Sequence, residues 1–150
     1  MNDRKKKEDG MKQSQRLFLT WLIEDTRLFD SIKGWITEED FTEPLYRKAA
    51  QELFTQYGES GQVNPAKIIS RFQEEEEQKE IAGLFNAKIH EVETKQDKEK
   101  ALKETIERIK ENSIDVRSRQ SDPNDLTVVM QLINEQKELE KLKKTHISID

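Results

Sequence analysis

Apolar residues recur along this chain at steps of three and four, the spacing that keeps them on one face of a helix with about 3.6 residues per turn. The pattern is clearest after residue 97, where Leu102, Ile106, Ile109, Ser113 and Val116 share one stripe. The cluster Ser121-Asp122-Pro123-Asn124-Asp125 then interrupts it, and a second apolar pattern runs from Leu126 through Leu142 without Gly or Pro. Two helices joined by a short turn make a helical hairpin. A hairpin alone buries little, so this one must rest on the residues before it, on a partner, or on both. It reads as a docking element.

Earlier segments give further helices. Residues 1–14 are polar, carry Lys5-Lys6-Lys7 and offer almost nothing to bury, the composition of a flexible linker. Leu17, Phe18, Leu19, Trp21, Leu22 and Ile23 are too uniformly apolar for a one-sided surface helix, so this helix is expected at the centre with Trp21 in the core. Leu28, Phe29, Ile32 and Ile36 continue at helical spacing, with Asp25 as a cap and Gly34 as a stop. Thr42-Glu43-Pro44 starts a helix with Thr42 as N-cap, running to Tyr57 and ended by Gly58. Asn64-Pro65 repeats the device for a short helix carrying Ile68, Ile69 and Phe72. The acidic run at 74–77 precedes Ile81, Leu84 and Phe85 and suits the positive end of a helix dipole; Ile89 and Val92 extend that pattern weakly. No segment alternates as a strand. The fold class is all-α: a multi-helix bundle over residues 15–110, then a C-terminal helical hairpin over 111–150. Asn112-Ser113 marks the boundary, because helix propensity dips there.

Composition narrows the function. Charged residues make up 38% of the 150 residues, yet Leu, Ile, Val and Phe still reach about a quarter, above the roughly 20% below which disorder is the better reading. The net charge is −5 with both signs interspersed, which argues against broad phosphate-backbone binding. There is no cysteine, hence no disulfide, thiolate nucleophile or cysteine zinc site. With no long apolar run and no signal sequence, the expectation is a soluble cytoplasmic protein with no membrane partner.

The search for chemistry is negative. The five glycines stand in no phosphate-binding frame. His90 and His146 lack metal-ligand spacing, and nothing places a Ser, His and Asp together. The carboxylates at 74–77 spread around a helix and cannot converge on one ion. Glu38-Glu39-Asp40 reads as an acidic turn that positions Phe41 in the core rather than as an acid pair. Trp21, Trp35, Tyr46 and Tyr57 lie on or beside apolar stripes with no basic residues between them, so they read as core aromatics rather than a base-stacking set.

The opening helix RLFLTWLIED, the segment Phe41-Thr42-Glu43-Pro44-Leu45-Tyr46-Arg47 and the terminal hairpin together resemble the C-terminal helicase-binding domain of bacterial DNA primase, the DnaG family. The resemblance covers about residues 15–150 and is one of order, spacing and hydrophobic pattern. It implies an all-α bundle with a helical hairpin that docks on the N-terminal domains of a hexameric DnaB-type replicative helicase, recruiting primer synthesis to the fork and modulating helicase activity. It also implies a non-catalytic fragment with no cofactor, monomeric alone and without direct nucleic-acid contact. The family's zinc module and its magnesium-dependent polymerase core, which make the parent a DNA-directed RNA polymerase, would precede residue 1. The alternatives are the N-terminal domain of the helicase itself, a helical nucleic-acid-binding module, or an enzyme with an unrecognised site.

Within the last helix, Leu126, Val129, Met130 and Ile133 fall on one side and Val128, Leu132, Leu139 and Leu142 on another. A hairpin seam needs only one group. The second group is then either tucked against the bundle or left as a patch for a partner; being nearer the C-terminus and extended by Ile147, Val128, Leu132, Leu139, Leu142 and Ile147 are the expected partner-binding face.

Overall fold

In the computed structural model, residues 3–86 and 94–148 are described, with side chains from residue 10 onward. They form helices α1 (Asp3–Glu24), α2 (Leu28–Ile32), α3 (Pro44–Ser60), α4 (Pro65–Ile69), α5 (Glu75–Asn86), α6 (Lys95–Gln120) and α7 (Leu126–Lys143), with a 3-10 turn at Glu38–Asp40. Among the described residues there is no strand, and the chain is an all-α helical bundle. Ile89, His90 and Val92 lie outside them.

Helix α1 packs against α2, α3, α5 and α6, and α7 lies along α6. Phe18, Leu19 and Leu22 of α1 are fully buried, while Trp21 and Ile23 are half-buried and Leu17 faces solvent. The central position is as expected; the all-round burial is not, because α1 leaves one side uncovered. Helix α1 also begins at Asp3, so it runs through most of the stretch expected as a linker, and Met11 packs on the core.

Helix starts follow their caps. Asn64 Oδ1 accepts from Lys67 N at 3.2 Å, with Pro65 in the first turn of α4. Thr94 caps α6, and Asp125 Oδ1 accepts from Val128 N at the head of α7. At α3 the N-cap is Glu43 rather than Thr42. Thr42 is used otherwise: its Oγ1 accepts from Gln15 Nε2 at 2.9 Å and from Asn112 Nδ2 at 3.1 Å, joining α1, the α3 entry and α6. Asp25 accepts from Arg27 N in a tight turn without capping α2. Helix α3 continues past Gly58 to Ser60 and ends at Gly61, whose φ of 71° is the left-handed conformation glycine accepts without strain.

The break expected at Asn112-Ser113 does not occur, and α6 passes through it in a single helix of 26 residues. Those two polar side chains point inward, Asn112 to Thr42 and Ser113 Oγ to Asp40 at 2.9 Å. The division into a bundle at 15–110 and a hairpin at 111–150 therefore cuts a continuous helix. Both hairpin helices also feed the common core, through Leu102, Ile106 and Ile109 of α6 and Leu139 and Leu142 of α7.

This predicts that Leu142→Ala lowers the stability of the whole chain by about 2–5 kcal/mol, the range for truncating a fully buried leucine. Urea denaturation followed by circular dichroism measures it. A midpoint equal to the parent's would mean that α7 does not belong to the core.

Candidate protein-interaction site

The residues expected to meet a partner divide in two. Leu139, Leu142 and Ile147 are buried, at 1%, 1% and 3% exposure. They are corrected to core: the C-terminal half of α7 sits against α6 and the loop carrying Gly34 and Trp35, and the tail after α7 is held by Ser31 Oγ donating to the Ser148 carbonyl at 2.7 Å. Val128 and Leu132 are half-buried and lie on the same side of α7. The group expected as the seam is the exposed one, with Leu126 at 72%, Met130 at 69% and Ile133 at 51% exposure. The two groups do lie on different sides of α7, but the one nearer the C-terminus is turned into the core, and of the other group Val129 is half-buried while Leu126, Met130 and Ile133 face solvent.

The exposed stripe sits on a projecting arm. No residue from 115 to 138 is buried, so the end of α6, the turn and the first two-thirds of α7 extend beyond the core, with Leu132 packed against its edge. Residues 126–134 contain no charge in a chain that is 38% charged. Leu126, Met130 and Ile133 recur at the four- and three-residue steps of one helix face. Apolar surface that is contiguous, exposed and free of charge has the composition of an interface centre.

At the root of the arm is a cluster of four charges from three elements. Asp40, in the 3-10 turn, is 1% exposed. It accepts from Lys110 Nζ at 3.2 Å, from Ser113 Oγ at 2.9 Å, from Arg117 Nη2 at 3.4 Å and from Thr37 N at 3.0 Å. Across the hairpin, Glu135 of α7 accepts from both Arg117 Nη atoms, at 2.7 and 2.8 Å, and from Lys110 Nζ at 3.0 Å. Two carboxylates thus face two cations, and the forked Arg117–Glu135 pair has the planar geometry that favours arginine over lysine. Burial pushes the Glu135 carboxyl up, but the hydrogen bonds from Arg117 and Lys110 outweigh it and hold the group below the ordinary value of 4.5. The Glu135 hydrogen bonds in turn raise Arg117. Glu38-Glu39-Asp40 does form the expected acidic turn before buried Phe41. That Asp40 is itself buried and cross-linking was missed, since Lys110 and Arg117 lie 70 and 77 positions away.

A second polar cluster is structural. The Tyr46 hydroxyl donates to Glu80 Oε1 at 2.5 Å, and Arg16 donates to the same oxygen at 2.8 Å, tying α3 and α1 to α5. Burial first, and then the hydrogen bond to Glu80, raise the Tyr46 hydroxyl well above its usual value. His146 Nε2 lies 3.4 Å from Glu99 Oε1 with its ring mostly exposed. Among the described residues no group of three or more His, Asp or Glu is placed to hold a metal ion, and no helix is long and apolar enough to cross a membrane.

No protein-family model, no curated protein and no solved structure matches this chain.

The pairing of Glu135 fixes the sign of one pH effect. A carboxylate held below its unfolded value contributes stability that is present in full above about pH 4.5 and lost as pH falls through the lower folded value. Glu135→Gln should therefore cost about 1.5–3 kcal/mol at pH 7, the range for hydrogen bonds to charged groups. The gap between variant and parent should narrow as pH drops below 4.5. Urea midpoints taken from pH 7 to pH 3 check this; a gap that does not narrow removes Glu135 from the acid response.

Proposed function

We propose that this chain is a non-catalytic protein-interaction domain of a bacterial DNA primase, acting in the cytoplasm by docking on the N-terminal domains of a hexameric DnaB-type helicase. In this reading it carries primer synthesis to the replication fork and modulates the helicase. The observation that supports it is the projecting arm with its uncharged stripe of Leu126, Met130 and Ile133. An amphipathic helix presenting anchors at positions i, i+4 and i+7 is suited to a groove between the helices of another protein.

The arrangement also suits the division of labour that the DnaG resemblance implies. The body supplies a stable base through the shared core, and the arm carries recognition where no core residue has to move. The docking residues in this reading are Leu126, Met130 and Ile133, not Leu139, Leu142 and Ile147, because a side chain already buried in the chain's own core is not available to a partner.

Replacing Leu126, Met130 and Ile133 together with Ser should leave the urea midpoint of the chain close to the parent's, since none of the three is buried. The same variant should weaken calorimetric binding to the helicase N-terminal domains by at least about tenfold, the cost of losing central apolar anchors. Binding that is unchanged would place the contact elsewhere. Template-dependent primer synthesis by the purified chain would overturn the non-catalytic reading.

A further inference from the structure

The arm has little of its own to hold it closed. Between Leu126 and Glu138, helix α7 contributes no buried side chain, and its inward residues Val128, Leu132 and Glu135 are only half-buried against α6. Helix α7 has its fully buried anchors at Leu139 and Leu142, and before them Leu132 packs, half-buried, against the edge of the core. Glu135 stands one turn before that anchor, at the junction of the fixed and projecting halves. It is also where α7 meets Lys110 and Arg117, and through them Asp40.

We propose that Asp40, Lys110, Arg117 and Glu135 act as a clamp at the root of the arm, and that this clamp keeps the projecting half of α7 closed on α6 as a preformed docking helix. Asp40 holds the two cations from the body side, through contacts at 3.2 and 3.4 Å. Glu135 closes the clamp from α7. When Glu135 loses its charge, Lys110 and Arg117 keep Asp40 as their counter-ion, so the body stays intact while the projecting half of α7 loses its strongest tie. It then opens about the Leu139–Leu142 anchor. An arm closed in advance offers its apolar stripe without the ordering cost that a loose segment carries into binding. The clamp's value to a partner rests on the docking reading above; its mechanical action does not.

Hydrogen–deuterium exchange of the full chain without any partner tests the mechanics. In Glu135→Gln, amides of residues 130–134 should be accelerated over the parent at least tenfold more than those of residues 102–109 in the core part of α6, whose own acceleration is no more than the loss of global stability read from the urea midpoint accounts for. Acceleration shared equally by both regions would show that the cluster only adds global stability, and unchanged exchange at 130–134 would show that it does not hold the arm; either result overturns the clamp. Should Glu135→Gln not fold, Arg117→Lys keeps the charge but removes the forked contact, and the same contrast between the two regions is expected. Because no partner is present, a negative result here is separate from a failure of helicase binding.

Discussion

A carboxylate excluded from water is tolerated only where cations and donors replace its hydration, and Asp40 makes that demand at the middle of this structure. Its partners come from far along the chain: Lys110, Ser113 and Arg117, all on one face of α6, together with the backbone of Thr37. Meeting the demand sets the rotation and axial position of α6 against the body, since only this register gives the carboxylate both cations and the Ser113 hydroxyl together. Thr42 adds a second polar fastening two residues along, through Gln15 of α1 and Asn112 of α6. The hydrophobic cluster to which Phe18, Phe41, Leu102 and Ile106 belong supplies most of the burial but tolerates sliding. The polar contacts select one register out of several that would bury similar area.

That register has consequences beyond the body. With α6 fixed at Asp40, its last turns extend past the core, and α7 can return along it only with Glu135 opposite Arg117 and Lys110. The face of α7 carrying Val128, Leu132, Leu139 and Leu142 is then turned inward, and Leu126, Met130 and Ile133 are turned out. The exposed stripe is therefore a product of how the buried charges pair. A chain so rich in surface charge leaves residues 126–134 uncharged in the part of α7 that contributes no fully buried side chain.

Much of this was legible in the residues themselves. Helical periodicity located the helices, Asn64-Pro65 marked a start, the cluster at 121–125 separated α6 from α7, and the two faces of α7 separated by angle alone. What local pattern lacked was distance. Gly58 and Gly61 are equivalent as stops when the residues between them are polar, and only the backbone shows that Gly61 takes the positive φ. Asn112 and Ser113 look like a weak point in a helix until Thr42 and Asp40 are known to stand opposite. The low apolar content of residues 3–14 suggested a linker, but a helix already running in α1 extends through polar residues at little cost. Which face of α7 is the seam depends on where Gly34, Trp35 and the tail at Ile147 pack, and no window along one helix contains that information.

The two halves of α7 divide opposing requirements between them. A docking helix must show apolar side chains to water, which weakens its own hold on the fold, and a core helix must bury them, which removes them from recognition. Separate helices would resolve the conflict at the expense of any rigid link between body and arm. In the proposed docking reading a single helix serves both ends, with Leu139 and Leu142 seated in the core and Leu126, Met130 and Ile133 in solvent. The change of role falls near Glu135, where an apolar contact would serve less well: it would extend the seam without setting direction, whereas the forked Arg117 pair restrains both distance and rotation. An ion pair withdrawn even partly from water is often a poor source of net stability, because desolvation offsets much of its attraction. At this junction its use is geometric, fixing how the arm leaves the body.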